Sequence, residues 1–130
     1  MAHRLMESIT LQTGDTIVTS GDSLGQLQFA ASAESDGSAS RLIAARVYAQ
    51  AEGSFGSASN PCSIILATAS ADASAATDKI KITDRGYIVP MTDESFDIGD
   101  EGLRFRDAYF ARDTTGPTIQ LANTETAPDS

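Results

Sequence analysis

The fold of this chain is indicated by residues 53–89, GSFGSASNPCSIILATASADASAATDKIKITDRGYIV. Two strand candidates, Ile64-Ile65-Leu66 and Ile80-Lys81-Ile82, flank a spacer of small residues. Residues 79–83 alternate polar and apolar side chains, which is typical of a strand with one buried face. A turn at 84–86 leads into a further short strand that stops at Pro90. The stretch therefore predicts hairpin-like β-structure.

Large apolar side chains are scarce in the whole chain. Leu, Ile, Val and Phe together make up about a fifth of the 130 residues, which is near the level at which disorder becomes a concern. The apolar residues are nevertheless patterned in short runs, so we predict an ordered chain without a thick core of its own. We expect strands from several copies to share one core, in an obligate oligomer.

Charge and composition exclude several classes of function. The net charge of −9 and the pI near 4.3 argue against binding to nucleic acid, which needs clustered Lys and Arg. No stretch approaches the about 20 apolar residues of a membrane span, so we predict no membrane partner. Cys62 is the single cysteine, and no intrachain disulfide is expected.

The rest of the chain contains further short β-signals. Residues 9–12 and 17–18 flank a Gly-Asp turn and predict a first hairpin, and residues 27–30 alternate as a strand. Residues 41–51 are ambiguous, because their apolar positions fit one face of a helix and also alternate as in a strand. Residues 103–111 suggest a helical turn running into a strand, and residues 118–121 a last short strand.

Two successive patterns in this chain resemble repeats of bacteriophage tail-fibre and other virion-surface proteins, over about residues 21–112. The first is a Gly-rich loop ending in Pro, an apolar strand running into Thr, an Ala-Asp turn and a basic-apolar strand closed by Gly. It is found here at Asn60-Pro61, 64–68, Ala71-Asp72, 77–82 and Gly86. The second resembles an Asp-Leu-Gly motif followed by Arg-Trp/Phe-Arg-Asp-x-Tyr, and stands at 97–99 and 104–109. The loops depart from the usual form at Cys62-Ser63, Ala73 and Ala75-Ala76.

The resemblance implies an all-β fold of short antiparallel strands and hairpins, intertwined as a β-sandwich or β-prism in a homotrimer. It favours a strand over a helix at residues 41–51. It also implies three regions: an N-terminal arm and first hairpin for virion attachment (1–20), a fibre-like β-repeat domain (21–90), and a C-terminal fibre motif with an acidic tail (91–130).

The function implied by the resemblance is that of a non-enzymatic structural protein on the virion surface of a tailed bacteriophage. A trimeric capsid decoration, cement or head-fibre protein is the first expectation, and a tail fibre or receptor-binding protein with a carbohydrate-binding role is the alternative. The expected partners are further copies of the chain, the major capsid protein or another virion protein and, in the alternative, a host surface glycan.

Site residues are predicted for two contacts. The expected subunit interface consists of Ile64, Leu66, Ile80, Ile82, Phe105 and Tyr109. The expected virion-attachment segment consists of Arg4, Leu5, Met6, Ile9 and Leu11.

A hydrolase site was weighed at residues 21–25, Gly-Asp-Ser-Leu-Gly, which match both a nucleophile elbow and the motif of a lipase and esterase family. The only histidine, His3, stands upstream of Ser23, whereas that family places it near the C-terminal end after an Asp. We therefore predict a turn before a strand, with no catalytic residue.

Two binding sites were also weighed against simpler interpretations. The acidic run between 93 and 101 offers oxygen ligands for calcium, but it lacks the spacing of a calcium loop, so we predict no metal and no cofactor. Phe105, Tyr109 and Phe110 would suit a sugar-stacking platform, but their spacing is also that of a packed strand face, which is the interpretation we favour.

Overall fold

The structure, a computed structural model, describes residues 7–31, 42–71, 73, 75–111, 115 and 119. Within these residues five strands form one antiparallel sheet, in which each strand pairs with the next along the chain. The strands are β1 (Ser23–Ala30), β2 (Ile43–Ala51), β3 (Cys62–Thr68), β4 (Thr77–Ile82) and β5 (Ile88–Pro90). The described part of the chain contains no helix, and the predicted all-β fold is confirmed.

Within the ambiguous segment, Ile43–Ala51 forms the strand β2. β2 pairs along its length with β1 on one side and with β3 on the other, so its backbone groups are satisfied by both neighbours. The helix-like spacing of its apolar residues is overridden by this pairing, as is common where two flanking strands are available.

The hairpin predicted at residues 9–18 is wrong, because none of the residues from 7 to 22 forms a strand. The chain instead crosses one face of the sheet, where Leu11 lies against Gly25 of β1. A turn then leads into β1. In this turn the Asp22 carboxylate accepts hydrogen bonds from the backbone N–H and the hydroxyl of Thr19, at 2.8 and 3.1 Å.

The predicted turn between β4 and β5 is present. The backbone N–H of Gly86 donates to the carbonyl of Thr83, and the N–H of Thr83 donates to the carbonyl of Tyr87, both at 2.9 Å. Gly86 has φ 81°, a left-handed conformation that glycine adopts without a steric penalty. The sequence signal at residues 84–86 is explained by this requirement.

The chain divides into two units, residues 1–96 and residues 97–130. The first contains the sheet. In the second, the described residues hold a tight turn in which Asp100 and Leu103 exchange backbone hydrogen bonds of 3.0 and 3.2 Å, and none of them belongs to a strand. Most of the strand predicted at 118–121 lies outside the described residues. The three predicted regions therefore stay a prediction.

No helix long and apolar enough to span a membrane occurs among the described residues.

Candidate functional site

The central strand β3 separates two unlike faces of the sheet. Ser63, Ile65 and Ala67 point to one side, where they are 1%, 0% and 2% exposed. Ile64 and Leu66 point to the other side and are 47% and 40% exposed. The side that carries Ile65 is called the polar face below, and the side that carries Leu66 is called the apolar face.

The polar face is closed by a bridge over β3. The carboxylate of Asp78 on β4 accepts a hydrogen bond of 2.7 Å from the hydroxyl of Tyr48 on β2. It also forms an ion pair of 3.0 Å with Arg46 of the same strand β2. The Arg46 guanidinium also lies 4.6 Å from the centre of the Tyr48 ring. Because Arg46 and Asp78 both stand opposite Ala67 in the strand register, the bridge passes above this small residue. Arg46, Tyr48 and Asp78 are called the polar bridge.

A second ion pair lies over the buried side chains of β3 at the end nearer Ser63. Lys81 of β4 stands opposite Ile65 and donates to the Glu52 carboxylate at 3.0 Å. The pKa of Glu52 is lowered, chiefly by its hydrogen bond with the Ser63 hydroxyl and further by Lys81. The stems and rings of these long side chains exclude water from Ile65, Ser63 and Ala67 without a second layer of chain. On the polar face, the β3 side chains Ser63, Ile65 and Ala67 are therefore covered within one copy.

Among the described residues, no pair of long polar side chains closes over the apolar face. In register across it lie Leu27 opposite Val47, Leu66 opposite Ile80, and Ile64 opposite Ile82, which in turn stands opposite Ile88. Seven large side chains of this face remain more than a third exposed: Leu27, Phe29, Val47, Ile64, Leu66, Ile82 and Ile88. None of them is charged. This face is the largest apolar surface of the sheet and the candidate functional site.

Four of the six residues predicted for the subunit interface meet on the apolar face, namely Ile64, Leu66, Ile80 and Ile82. The other two belong to the second unit, where Phe105 is 72% and Tyr109 is 91% exposed. The prediction missed four members of the face: Leu27, Phe29, Val47 and Ile88. Their signal was present in the sequence, because 27 and 29, and 45, 47 and 49, alternate as strand positions do.

The N-terminal arm, defined as residues 7–18, lies against one end of the apolar face. Its Ile9 and Leu11 line an open groove of about 360 Å³ together with Gly25, Leu27, Val47, Ala49 and Ile64. Its end is fixed by a 3.0 Å hydrogen bond from the N–H of Phe55 to the carbonyl of Val18. Two of the residues predicted for virion attachment thus lie at the apolar face. Arg4, Leu5 and Met6 lie outside the described residues.

The described residues include most of those considered for hydrolysis and for metal binding. Asp22 holds the turn before β1, and Ser23 is the first residue of that strand; His3 lies outside the described part of the chain. No three His, Cys, Asp or Glu side chains among the described residues are grouped to hold a metal ion. Burial raises the pKa of the Cys62 thiol, which disfavours the reactive thiolate.

The polar bridge has a spectroscopic signature. Burial, followed by the hydrogen bond and the charge of Asp78, raises the pKa of Tyr48 from 10.0 to about 12. Because folding favours the neutral phenol, the contribution of this group to stability is complete below about pH 10 and is lost as the pH rises through about 12.

We predict that Asp78→Asn lowers the pKa of Tyr48 but leaves it above 10.0, because the largest cause, burial, remains. The measurement is phenolate absorbance against pH, with circular dichroism recorded in parallel to confirm that the sheet persists. The difference between the wild type and Tyr48→Phe isolates the Tyr48 step. A Tyr48 step that is unchanged in Asp78→Asn would contradict the bridge.

Comparison with known proteins shows a relation in fold but not in sequence. No protein-family model matches the chain, and no curated protein matches it significantly. Among solved structures it is similar to the carboxy-terminal domain of the bacteriophage T5 L-shaped tail fibre with its intra-molecular chaperone domain. The TM-score is 0.60 and the identity is 17%, over 95% of this chain and 30% of that one.

A second structure, of the carboxy-terminal domain of the bacteriophage T5 L-shaped tail fibre, matches with a TM-score of 0.59 and 16% identity. The match covers 90% of this chain and 44% of that one. The chain thus spans less than half the length of the structures it matches. At this identity the similarity concerns the fold, and the sheet described above is the β-fold found in a domain of a phage tail fibre, as the sequence resemblance predicted.

Proposed function

We propose that this chain is a non-enzymatic structural protein of a bacteriophage fibre, exposed on the virion surface, that assembles as a homotrimer through the apolar face of its sheet. One observation carries the proposal. The polar face is covered by the chain's own side chains, whereas the described residues cover the apolar face only at one end, where the N-terminal arm lies. The similarity in fold to a phage tail-fibre domain supports the fibre assignment.

The size of the apolar face supports a protein partner. Five strands about 4.8 Å apart, each contributing about five residues, cover a flat area of about 400 Å². This lies within the about 300–600 Å² of the largest apolar patch on a typical monomer, a patch that is often functional. The absence of charge from the aligned residues favours a dry contact over a solvated one.

The breadth of the sheet suits three copies. Three sheets, each about 24 Å broad and arranged as a triangular prism, would each stand about 7 Å from the central axis. Packed sheets lie about 10 Å apart, which leaves about 5 Å for the side chains of each. Leu, Ile and Phe side chains would therefore nearly fill a prism of three sheets. Four sheets would stand about 12 Å from their axis and leave an open channel.

The sheet edges also favour a closed ring. Among the described residues, no strand pairs with the outer edge of β1, which carries no charged residue, and such an edge invites pairing with another chain. A prism places β1 of each copy beside β5 of the next, so that each edge has a neighbour. A two-sheet sandwich would leave all of its edges open.

The placement on the virion is part of the proposal. The first placement is a tail fibre, and the second is a capsid decoration or head-fibre protein that contacts the major capsid protein; the fold similarity supports a fibre-type role in either place. Gold-labelled antibodies against the chain, observed on intact virions by electron microscopy, separate the two. Label at the tail supports the first placement, label spread over the capsid supports the second, and unlabelled virions with well-labelled free protein would contradict a surface role.

A carbohydrate-binding role is a second candidate function. The high exposure of Phe105 and Tyr109 favours it, because an open aromatic ring can stack on a sugar. A glycan array on the wild type, repeated with Tyr109→Ala, tests this role: binding that is lost in the variant supports it, and the absence of any bound glycan opposes it.

We predict that Leu66→Glu prevents assembly, because it places a charge at the centre of the apolar face. Sedimentation velocity should show a monomer or unfolded chain, whereas the control Gln28→Glu, on the polar face, should keep the wild-type mass. Leu66→Thr, which retains strand propensity, should weaken assembly less than Leu66→Glu, so that the variant dissociates at a higher concentration than the wild type. Leu66 variants that assemble as tightly as the wild type would contradict the interface.

A further inference from the structure

The groove between the N-terminal arm and the sheet, at the β1 end of the apolar face, is called the socket below. We propose that the groove beneath the N-terminal arm receives the side chain of Ile88 from the neighbouring copy, so that Ile9 and Leu11 belong to the contact between copies. This inference rests on the proposed trimer and adds its register and the role of the arm. It assigns to these two arm residues a partner other than the capsid or tail.

The groove has the size and chemistry for such a side chain. Its lining residues are uncharged, and its volume of about 360 Å³ exceeds the about 150 Å³ of an apolar cavity that holds a benzene ring. Because it is open, its walls remain in contact with water in a single copy. Ile9 is 83% and Leu11 is 54% exposed, so the arm covers the sheet only in part.

The arm is held close to the sheet by the absence of a side chain at position 25. A Cβ at this position would lie 2.6 Å from Cβ of Leu11 and 3.2–3.3 Å from its backbone C and O atoms. The distances leave no space for alanine unless the arm moves. Gly25 therefore allows the arm to lie close to the sheet.

One row of the apolar face runs from this groove to the opposite edge of the sheet. The strand register aligns Gly25, Ala49, Ile64, Ile82 and Ile88, one residue from each strand. In this row, the residues on β1 and β2 have small side chains or none, and the residues on β3, β4 and β5 have large ones. It thus combines a depression at one edge with a projection at the other.

Three-fold symmetry brings these two ends together. Rotation about a three-fold axis parallel to the strands leaves the position of each residue along that axis unchanged. In a closed ring of three copies, the β5 edge of one sheet contacts the β1 edge of the next. The β5 end of the row in one copy therefore meets the β1 end of the same row in the next. Ile88, 74% exposed at the β5 edge, is the large side chain that arrives at the groove.

The chain's own Ile88 is too far away to occupy the groove. β1 and β5 are separated by four strand spacings, or about 19 Å. A disulfide requires Cα atoms within about 7 Å, so a bond between these two edges reports on a neighbouring copy.

The test is disulfide cross-linking of the full chain in a Cys62→Ser background. Leu11→Cys combined with Ile88→Cys should give covalent dimers and trimers on a non-reducing gel after mild oxidation. The matched control combines Ile88→Cys with Phe29→Cys, which lies on the same strand and face as Gly25 but about 13 Å along it. This control, and each single-cysteine variant, should remain mostly uncross-linked.

The outcomes separate this inference from the proposed function. A wild-type chain that stays monomeric in solution would overturn the trimer itself. A chain that associates but links through positions 29 and 88 rather than 11 and 88, or through neither pair, would overturn the socket alone. Cross-linking through 11 and 88 supports both.

Discussion

The unequal cover on the two sides of β3 is the constraint on which the rest of the structure depends. On one side, the polar bridge and the Lys81–Glu52 pair close over Ile65 and Ala67. On the other side, Ile64 and Leu66 remain open to solvent. In this sheet, the long polar side chains of the described residues close over one face only. Its other face needs a second layer, which we propose is supplied by further copies.

This division gives the small and the large residues of the sheet their roles. Ala67 is small enough for a side-chain bridge to pass above it, and Gly25 leaves space for the backbone of the arm. Ile64, Leu66, Ile80 and Ile82 supply the apolar surface that the chain cannot bury alone. The scarcity of large apolar residues is consistent with a chain that contributes one wall of a core, and with the fold shared with a phage tail-fibre domain.

Much of this arrangement could be predicted from the sequence, because period-2 alternation and turn residues are local signals. They located β3, β4 and the turn at Gly86, and alternation identified Ile80 and Ile82 as neighbours on one face. The run from Ile64 to Leu66 was different, because three apolar residues in succession do not say which one points to which side. Only the strand register, with Lys81 opposite Ile65 and Ile82 opposite Ile64, shows which of these three side chains lies on which face. In the polar bridge, Asp78 contacts residues that lie 30 and 32 positions away in the sequence, and no local sequence pattern predicts such a contact. The prediction of a hairpin at residues 9–18 was wrong because none of these residues pairs in a strand, and Leu11 instead lies against Gly25 on the apolar face.

The central claim is that the apolar face is an interface among three copies. Its most direct test is the absolute mass of the wild-type protein by light scattering, repeated through serial dilution. The account predicts a mass near three times 13.6 kDa at high concentration, with any dissociation on dilution accompanied by loss of the β-sheet signal in circular dichroism. A folded, stable species of 13.6 kDa at every concentration would contradict it.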